Sequence, residues 1–373
     1  MVASYTEEFQ VTWKDPADAA LTWVYDPVHF PKPLVPMGDD FLKRMYGKFM
    51  NARTVLVNGY SFTTPPTPMP PTPEQLRRGA LDVWTKDNQP RVQAFCEHLR
   101  AEDYDAMSLQ DLCGRVDGIL DDAADAFGLT MNIIAAFMGP TFAFVEFLQK
   151  ELGPDGAQIA ATLLQGFDNG TAAAGAGLSL MAEEAAKRPA VAAALRQGKY
   201  DGLEGVEGGP EFLKVFNKYL DDFGWRAETW GRPELPTWHE DPRTPLMLIG
   251  RYLEDPERSP AVAIKRAIEH REQAVREVES KLSADKVGQF RQMLGVVQAH
   301  VPVSEGRAMW QLIGIGSLRV PFMALGRKLV QAGALATADD VFYLSTAEIE
   351  AAAGDPAGTK QKAAARKADY ARW

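Results

Sequence analysis

The sequence predicts a mainly α-helical protein: a multi-helix bundle with an extended, aromatic- and proline-rich N-terminal arm and one small β-hairpin. Three observations carry this. Apolar residues recur at spacings of three and four from Pro73 to about Ala186, and again over 261–301 and 305–332, the period of a helix face. Residues 1–37 are dense in aromatics and prolines (Trp13, Trp23, Tyr25, Phe30, Pro31, Pro33, Pro36) and lack that period, so they run as extended chain and turns. Finally, Thr54-Val-Leu-Val-Asn58-Gly59-Tyr60-Ser-Phe62 alternates around an Asn-Gly pair, the short-range hairpin signal, because both central turn residues need φ > 0.

In chain order, the arm leads into a short helix from about Gly38 to Ala52 and then the hairpin. Thr63 to Pro73 holds six prolines and is a rigid loop; Thr72 caps a helix with Pro73 at its first position. Breaks in the following helices are expected at Gly128, Gly139-Pro140, Gly153-Pro154 and Gly170. A glycine-rich stretch, Gly198 to Pro210, precedes a helix ending at Phe223-Gly224, and Trp225 to Pro245 is a second irregular aromatic segment. Two long helices, 261–301 and 305–332, lead to Asp339-Asp-Val-Phe-Tyr-Leu344, read as a short strand. Ser345 then caps a helix with Glu348 closing the capping box, and 360–373 forms an Ala/Lys/Arg connector helix. The expected division is 1–72 (arm, short helix, hairpin), 73–200 (helical bundle) and 201–373 (second helical lobe with the connector).

With 46% apolar and 24% charged residues, the chain has ordinary globular values that exclude a disordered or collagen-like protein. The formal charge of -10 is spread along it with no basic, aromatic-interleaved stripe, which argues against nucleic acid. Cys96 and Cys113 are not at CxxC spacing and read as buried free thiols. The start lacks a basic and apolar leader. The most apolar window, 129–148, is interrupted by Asn132, Gly139, Pro140 and Glu146, and reads as core helix rather than membrane span. Cytoplasm is the expected location, without a membrane partner.

No GxxxxGK[ST], GxGxxG after a strand, HExxH or GxSxG is present, and the histidines (His29, His98, His239, His270, His300) are scattered, so no metal is expected. The irregular segments are where polar groups converge. His29 sits among aromatics on a proline-stiffened path, and histidine is the side chain type best matched to proton transfer near neutral pH; the alternative is a histidine bonded to backbone in a turn. Arg226 with Glu228 or Glu240 reads more readily as a structural ion pair than as a catalytic set. Glu305-Gly-Arg307 is read as a helix opening, and an arginine there suits an anion; a solvated surface arginine is the equal alternative. Arg319 lies twelve residues on, ~18 Å and ~120° around an α-helix, so both grip one phosphoryl group only if Gly314-Ile-Gly316 breaks the helix. Arg307 is preferred.

Together these segments resemble a family. The run Trp23…Asp26-x-x-His29-x-Pro31-x-Pro33-x-x-Pro36, Val57-Asn58-Gly59-Tyr60, Leu163-Leu-Gln-Gly166-x-x-Asn169-x-Thr171, Phe223-Gly-x-Arg226, Pro236-x-Trp238-x-Glu240-x-Pro242, Glu305-x-Arg307 and Gly326-Arg-x-Leu-Val330…Gly333…Asp339-Asp-Val-Phe-Tyr-Leu344 is similar to the central region of the PEP-utilising, dikinase-like phosphotransferases. That group includes phosphoenolpyruvate synthase, rifampicin phosphotransferase and phenylphosphate-synthase type enzymes. The resemblance implies an acceptor-binding part served by two partners: an ATP-grasp subunit or domain, and a swivelling phosphohistidine domain. It implies no cofactor on this chain, with ATP and Mg on the partner part. The family often has Tyr-Gly-His-Arg where this chain has Phe223-Gly224-Trp225-Arg226, and the rifampicin enzymes often have Glu or Gln at the position of His29, which implies a different acceptor. The arm looks closer to proteins acting on aromatic alcohols and phenols.

The expected catalytic residues are His29, Arg307 and Glu305. The expected substrate-binding residues are Trp23, Tyr25, Phe30, Arg226, Trp238, Trp310 and Arg319, around a small aromatic alcohol or phenol. A protein that binds a small aromatic ligand without phosphate transfer is the alternative from another class, and a ligand-free structural subunit is a third.

Overall fold

In the computed structural model, the described residues are 15–372 apart from 28, 58, 66, 68, 69, 168, 169 and 353. Strand β1 (Val24–Tyr25) comes from the arm, and β2 (Thr54–Val57) and β3 (Tyr60–Thr63) make the expected hairpin. Val57 pairs with Tyr60 across the turn and Gly59 takes φ 80°, a backbone that a Cβ disfavours. Asn58, its expected companion, lies outside the described residues, as does Trp13. The arm also pairs: β1 adds antiparallel to β3, Val24 opposite Thr63 and Tyr25 opposite Phe62, in a sheet of order β1-β3-β2. Its backbone polar groups are satisfied on a hairpin edge, a long-range pairing that periodicity within the arm cannot reveal.

Helix α1 (Pro36–Phe49) starts two residues before the expected point, with Pro36 at its first position, where the missing N–H costs nothing. The capping box at Thr72 is present: Thr72 Oγ1 accepts the Gln75 N–H at 3.2 Å and Gln75 Oε1 accepts the Thr72 N–H at 2.9 Å. It opens α2 (Pro73–Arg78), followed by α3 (Ala80–Val83), α4 (Gln89–Ala101), α5 (Leu109–Met131), α6 (Ile134–Leu152), α7 (Gly156–Leu163), α8 (Gly170–Ala186) and α9 (Pro189–Arg196). Two expected breaks are absent, since Gly128 lies inside α5 and Gly139-Pro140 inside α6. Gly128 serves packing instead: a Cβ there would stand 2.2 Å from Cζ of Phe49.

After α10 (Gly209–Phe223) and the irregular 224–242 come α11 (Arg243–Glu254), α12 (Pro260–Lys281) and α13 (Ala284–Gln331). Here the expected boundary is corrected. The chain turns at Leu282-Ser283, and α13 runs 48 residues through Pro302, Gly314, Gly316 and Pro321 without a break. It packs against α4, α5, α6 and α8, and that burial outweighs the bonds its prolines forgo. A second correction falls at 338–343, a 3-10 turn rather than a strand. Val341 and Phe342 are fully buried, and a short apolar run buried on all sides has no period to separate strand from helix. Ser345 and Glu348 form the expected capping box at α14 (Thr346–Ala351), and α15 (Pro356–Tyr370) follows.

The principal core joins Phe30, Leu34 and Val35 of the arm to Phe41 and Leu42 of α1, Leu120 and Phe127 of α5, and Leu318 and Phe322 of α13. A second lies among α8 to α11 around Phe212, Phe216 and Ile249, and a third joins α6, α7, α12 and α13 around Phe144, Leu148 and Phe290. Cys96 and Cys113 are buried and free. Among the described residues, Leu109–Leu152 and Ala284–Gln331 are long and apolar enough to cross a membrane by length and composition; 24% of the apolar window of the first, and 61% of that of α13, is buried inside the protein.

One glycine sets how closely segment 224–242 wraps α13. A Cβ on Gly316 would stand 1.8 Å from the Trp225 carbonyl oxygen and 2.9 Å from its carbon, backbone that cannot rotate away. Ala227 N–H donates to the Leu312 carbonyl at 3.0 Å in the same contact. Gly316→Ala is therefore expected to cost about 1–3 kcal/mol, the usual penalty of overpacking, read as a lower urea midpoint. Gly314→Ala, with nothing within 4 Å of its Cβ, is the control and should not destabilise.

Helix α15 buries only Thr359 and Ala363, so polar contacts hold it. Arg366 donates to Glu348 Oε1 at 2.9 Å and to the Tyr343 carbonyl at 3.0 Å, and Lys367 to Asp340 Oδ1 at 2.7 Å. Burial opposes the charged form of Glu348, but hydrogen bonds from Arg366, the Ser345 N–H and Lys362 outweigh it and hold the carboxyl at about 2, against an ordinary 4.5. A depressed carboxyl stabilises fully above its unfolded value and loses that contribution as pH falls from about 4.5 towards 2. Amide protection in α15, corrected for intrinsic exchange, should fall in that window, and Glu348→Gln should flatten the fall.

Candidate functional site

The arm presents His29 on a turn built by Asp26 and Pro27. The Phe30 N–H donates to the Asp26 carbonyl at 3.1 Å, and the Asp26 carboxylate accepts twice from His29: backbone N–H to Oδ1 at 3.0 Å and ring Nδ1 to Oδ2 at 2.6 Å. The His29 side chain is 48% exposed and that of Asp26 23%, so the pair faces solvent from a fixed base. One edge of the imidazole meets the Trp230 ring at 4.9 Å. Asp26 also lies against two phenols. Burial first and then the Asp26 charge push the Tyr46 hydroxyl up, and Tyr25 is raised by burial, Tyr60 and Asp26.

The other expected residues of the arm build its shape. Trp23 Nε1 donates to the Asp18 carbonyl at 2.9 Å and Tyr25 OH to the Phe30 carbonyl at 3.2 Å. Phe30 is buried, with its ring 4.9 Å from Trp230. From Trp230 the aromatic chain continues to Phe127 at 5.2 Å, which lines a cavity of about 10 Å³ together with Phe41, Phe95, Thr130 and Trp310. That is room for about one water, so a phenol has no place there in this conformation. Trp310 thus lies across that cavity from Phe127.

Arg307 lies one turn before Trp310, deep within α13, and the expectation of an arginine at a helix N-terminus is corrected. Half-buried, its guanidinium sits 5.8 Å from the Phe137 ring. Burial pulls its pKa down to about 10, with nearby Glu305 acting the other way, so it stays charged at neutral pH. Its Nε is buried without a hydrogen-bond partner among the described residues. Glu305 is exposed on the same helix. Among the described residues no hydrogen bond, ion pair or ring contact joins His29 to Arg307.

Arg319 is the opposite case. With its side chain 4% exposed, it donates from Nε to Glu240 Oε2 at 2.6 Å, from Nη1 to the Pro233 carbonyl at 2.8 Å and from Nη2 to Asp339 Oδ1 at 3.0 Å. It stitches 233–240 and the 338–343 turn to α13. Burial alone would raise the Glu240 carboxyl, but the bond from Arg319 brings it below its ordinary value. Glu240, which with Glu228 is one of the two partners expected for Arg226, therefore pairs with Arg319 instead. Arg226 lies over the Trp238 ring at 5.0 Å and burial lowers its pKa. Beside it, Trp225 stacks on His239 at 4.2 Å and lies under Arg100 at 5.4 Å.

A groove of about 760 Å³ runs past Tyr200, Glu234, Glu240, Arg319, Tyr343 and Lys367; of the expected site residues it holds Arg319. Among the described residues no group of three or more His, Cys, Asp or Glu is arranged to hold a metal ion. Sequence reasoning missed two residues of the His29 site. Asp26 had a local signal, the Asp-x-x-His spacing on a Pro-containing turn; Trp230, two hundred residues away in the chain, had none.

Residues 129–305 match the family model of the rifampicin phosphotransferase fourth domain. The match includes Arg226 and Trp238 and ends at Glu305, two residues before Arg307. The chain is also 26% identical, over 409 aligned positions, to chondramide synthase cmdD of Chondromyces crocatus; the alignment covers 98% of this chain and 10% of that protein. The chain thus spans about a tenth of the length of this relative. Residues 129–305 are thus similar to the fourth domain of rifampicin phosphotransferase, which supports the resemblance to a region of the PEP-utilising, dikinase-like phosphotransferases.

Proposed function

We propose that this chain is the acceptor-binding component of a phosphotransferase. It holds a small aromatic alcohol or phenol and receives a phosphoryl group from a phosphohistidine on a separate domain or subunit, itself charged by an ATP-grasp part with ATP and Mg. The observation that carries the reading is His29: a solvent-facing imidazole, fixed by a carboxylate and in edge-to-face contact with an indole, in a chain whose middle is phosphotransferase-like. In this reading the acceptor ring packs on the aromatics beside His29, and His29 takes the hydroxyl proton as the oxygen attacks phosphorus. Arg307, with no ion pair among the described residues, supplies positive charge to the phosphoryl oxygens. Transfer of this kind asks mainly for position and charge stabilisation. Arg226 and Trp238 are proposed to line the acceptor site, and the cytoplasm is the proposed location.

The aromatic rings of Phe30 and Trp230 beside His29 favour a second reading, a protein that binds an aromatic ligand without transferring phosphate. Both readings expect saturable quenching of tryptophan fluorescence by a panel of phenols, and a flat response across the panel removes both. They part on transfer. With phosphoramidate as a small phosphohistidine mimic, a phosphotransferase component forms phenyl phosphate above the uncatalysed rate, and a binding protein does not.

A further inference from the structure

We infer that Asp26 is the positioning residue of His29, and that the two act as one acid-base unit whose working atom is His29 Nε2. The inference rests on the reading of His29 as the base towards an acceptor hydroxyl, and goes beyond it by assigning the tautomer, the reacting nitrogen and the residue that fixes both. A carboxylate only accepts hydrogen bonds, so the 2.6 Å contact puts the proton of the neutral ring on Nδ1 and leaves the Nε2 lone pair free. The second bond, from the His29 N–H to Oδ1 at 3.0 Å, stops the carboxylate from rotating away. Pro27, between the two residues, presets φ at the corner of the turn. The Trp230 ring, in an edge-to-face contact with ring centroids 4.9 Å apart, limits the swing of the imidazole. Two phenols feel this carboxylate: burial and then the Asp26 charge raise Tyr46, and burial, Tyr60 and Asp26 raise Tyr25, so both stay neutral beside it.

In the step this implies, the acceptor O–H gives its proton to Nε2 while the oxygen forms a bond to phosphorus. The P–N bond to the donor imidazole breaks and its electron pair returns to that nitrogen. His29 becomes an imidazolium whose charge Asp26 offsets, and it then releases the proton from Nε2 to water. The role of Asp26 is the one an orienting aspartate has in a Ser-His-Asp triad.

The test is the tautomer of His29, read from imidazole 15N shifts of the labelled full chain, together with transfer from phosphoramidate to phenol. In Asp26→Asn the amide oxygen keeps the His29 N–H, so the amide NH2 faces Nδ1 and donates to it. The neutral ring is then expected to move its proton from Nδ1 to Nε2. Transfer should fall by about 10²-fold or more in kcat with KM little changed, and Asp26→Glu, which restores an acceptor, should recover part of it. Near-native melting of both variants separates this from a folding defect. If Asp26→Asn keeps the Nδ1–H tautomer, Asp26 does not position the ring and the inference is overturned. If the tautomer switches while transfer is unchanged in both Asp26→Asn and His29→Ala, the positioning stands and the reading of His29 as base is what fails.

Discussion

Arg319→Ala is expected to lower the stability of the folded protein by about 3 kcal/mol, the lower end of the 3–5 kcal/mol range for removing one partner of a buried charge set. The loss has three parts. Glu240 is left with a carboxylate that burial disfavours, the Pro233 carbonyl loses its donor, and Asp339 loses its cation. The lower end applies because the side chains of Glu240 and Asp339 are 31% and 51% exposed and can be partly rehydrated. Arg319→Lys should recover only a fraction, since one ammonium cannot reproduce the fork of a guanidinium. Arg327→Ala is the control: it removes an exposed pair with Asp105 and should change stability by less than ~1 kcal/mol. Urea denaturation of the three variants decides it. An Arg319→Ala midpoint within error of the control would mean that this side chain is not the tie between 233–240, 338–343 and α13.

His29→Ala and Arg307→Ala should each reduce transfer from phosphoramidate to phenol by about 10²-fold or more. A positioned acid-base group contributes about 10²–10⁴-fold, and a cation aimed at developing charge contributes a similar amount. The structure sharpens the expectation by separating rate from stability. Arg307 makes no ion pair and its Nε no hydrogen bond among the described residues, so its loss removes only packing and the contact with the Phe137 ring, and the melting temperature should fall little. His29 is exposed, and its ring bond to Asp26 is a surface contact worth little to the fold. If both variants retain near-native turnover, neither residue carries the chemistry. If either loses activity only together with stability, its role is to hold its segment in place.

The two arginines also show where sequence reasoning stops. Their separation of ~18 Å along one helix follows from residue count alone, and α13 runs unbroken past Gly314 and Gly316 to bear it out. Which of the two is engaged was not legible. The partners of Arg319 come from 233–240 and from Asp339, segments brought together by packing on α13, and Glu240, one of two partners the sequence offers Arg226, goes to Arg319 instead.

What the sequence determined by itself is local. The Asn-Gly hairpin, the capping boxes at Thr72 and Ser345, the helical middle and the irregular arm all depend on backbone preferences and periodicities that span a few residues. The tertiary structure decided whatever depends on partners distant in the chain. The arm became β1 because β3 offered an edge. Residues 338–343 became a 3-10 turn around Val341 and Phe342, which are fully buried, and α13 ran through Pro302 because it packs against its neighbours. His29 had the right chemistry in the sequence, and its Asp26 partner lay three residues away. Its seat on Trp230 exists only because segment 224–242 is drawn onto α13, where Gly316 lets two backbones meet with no side chain between them.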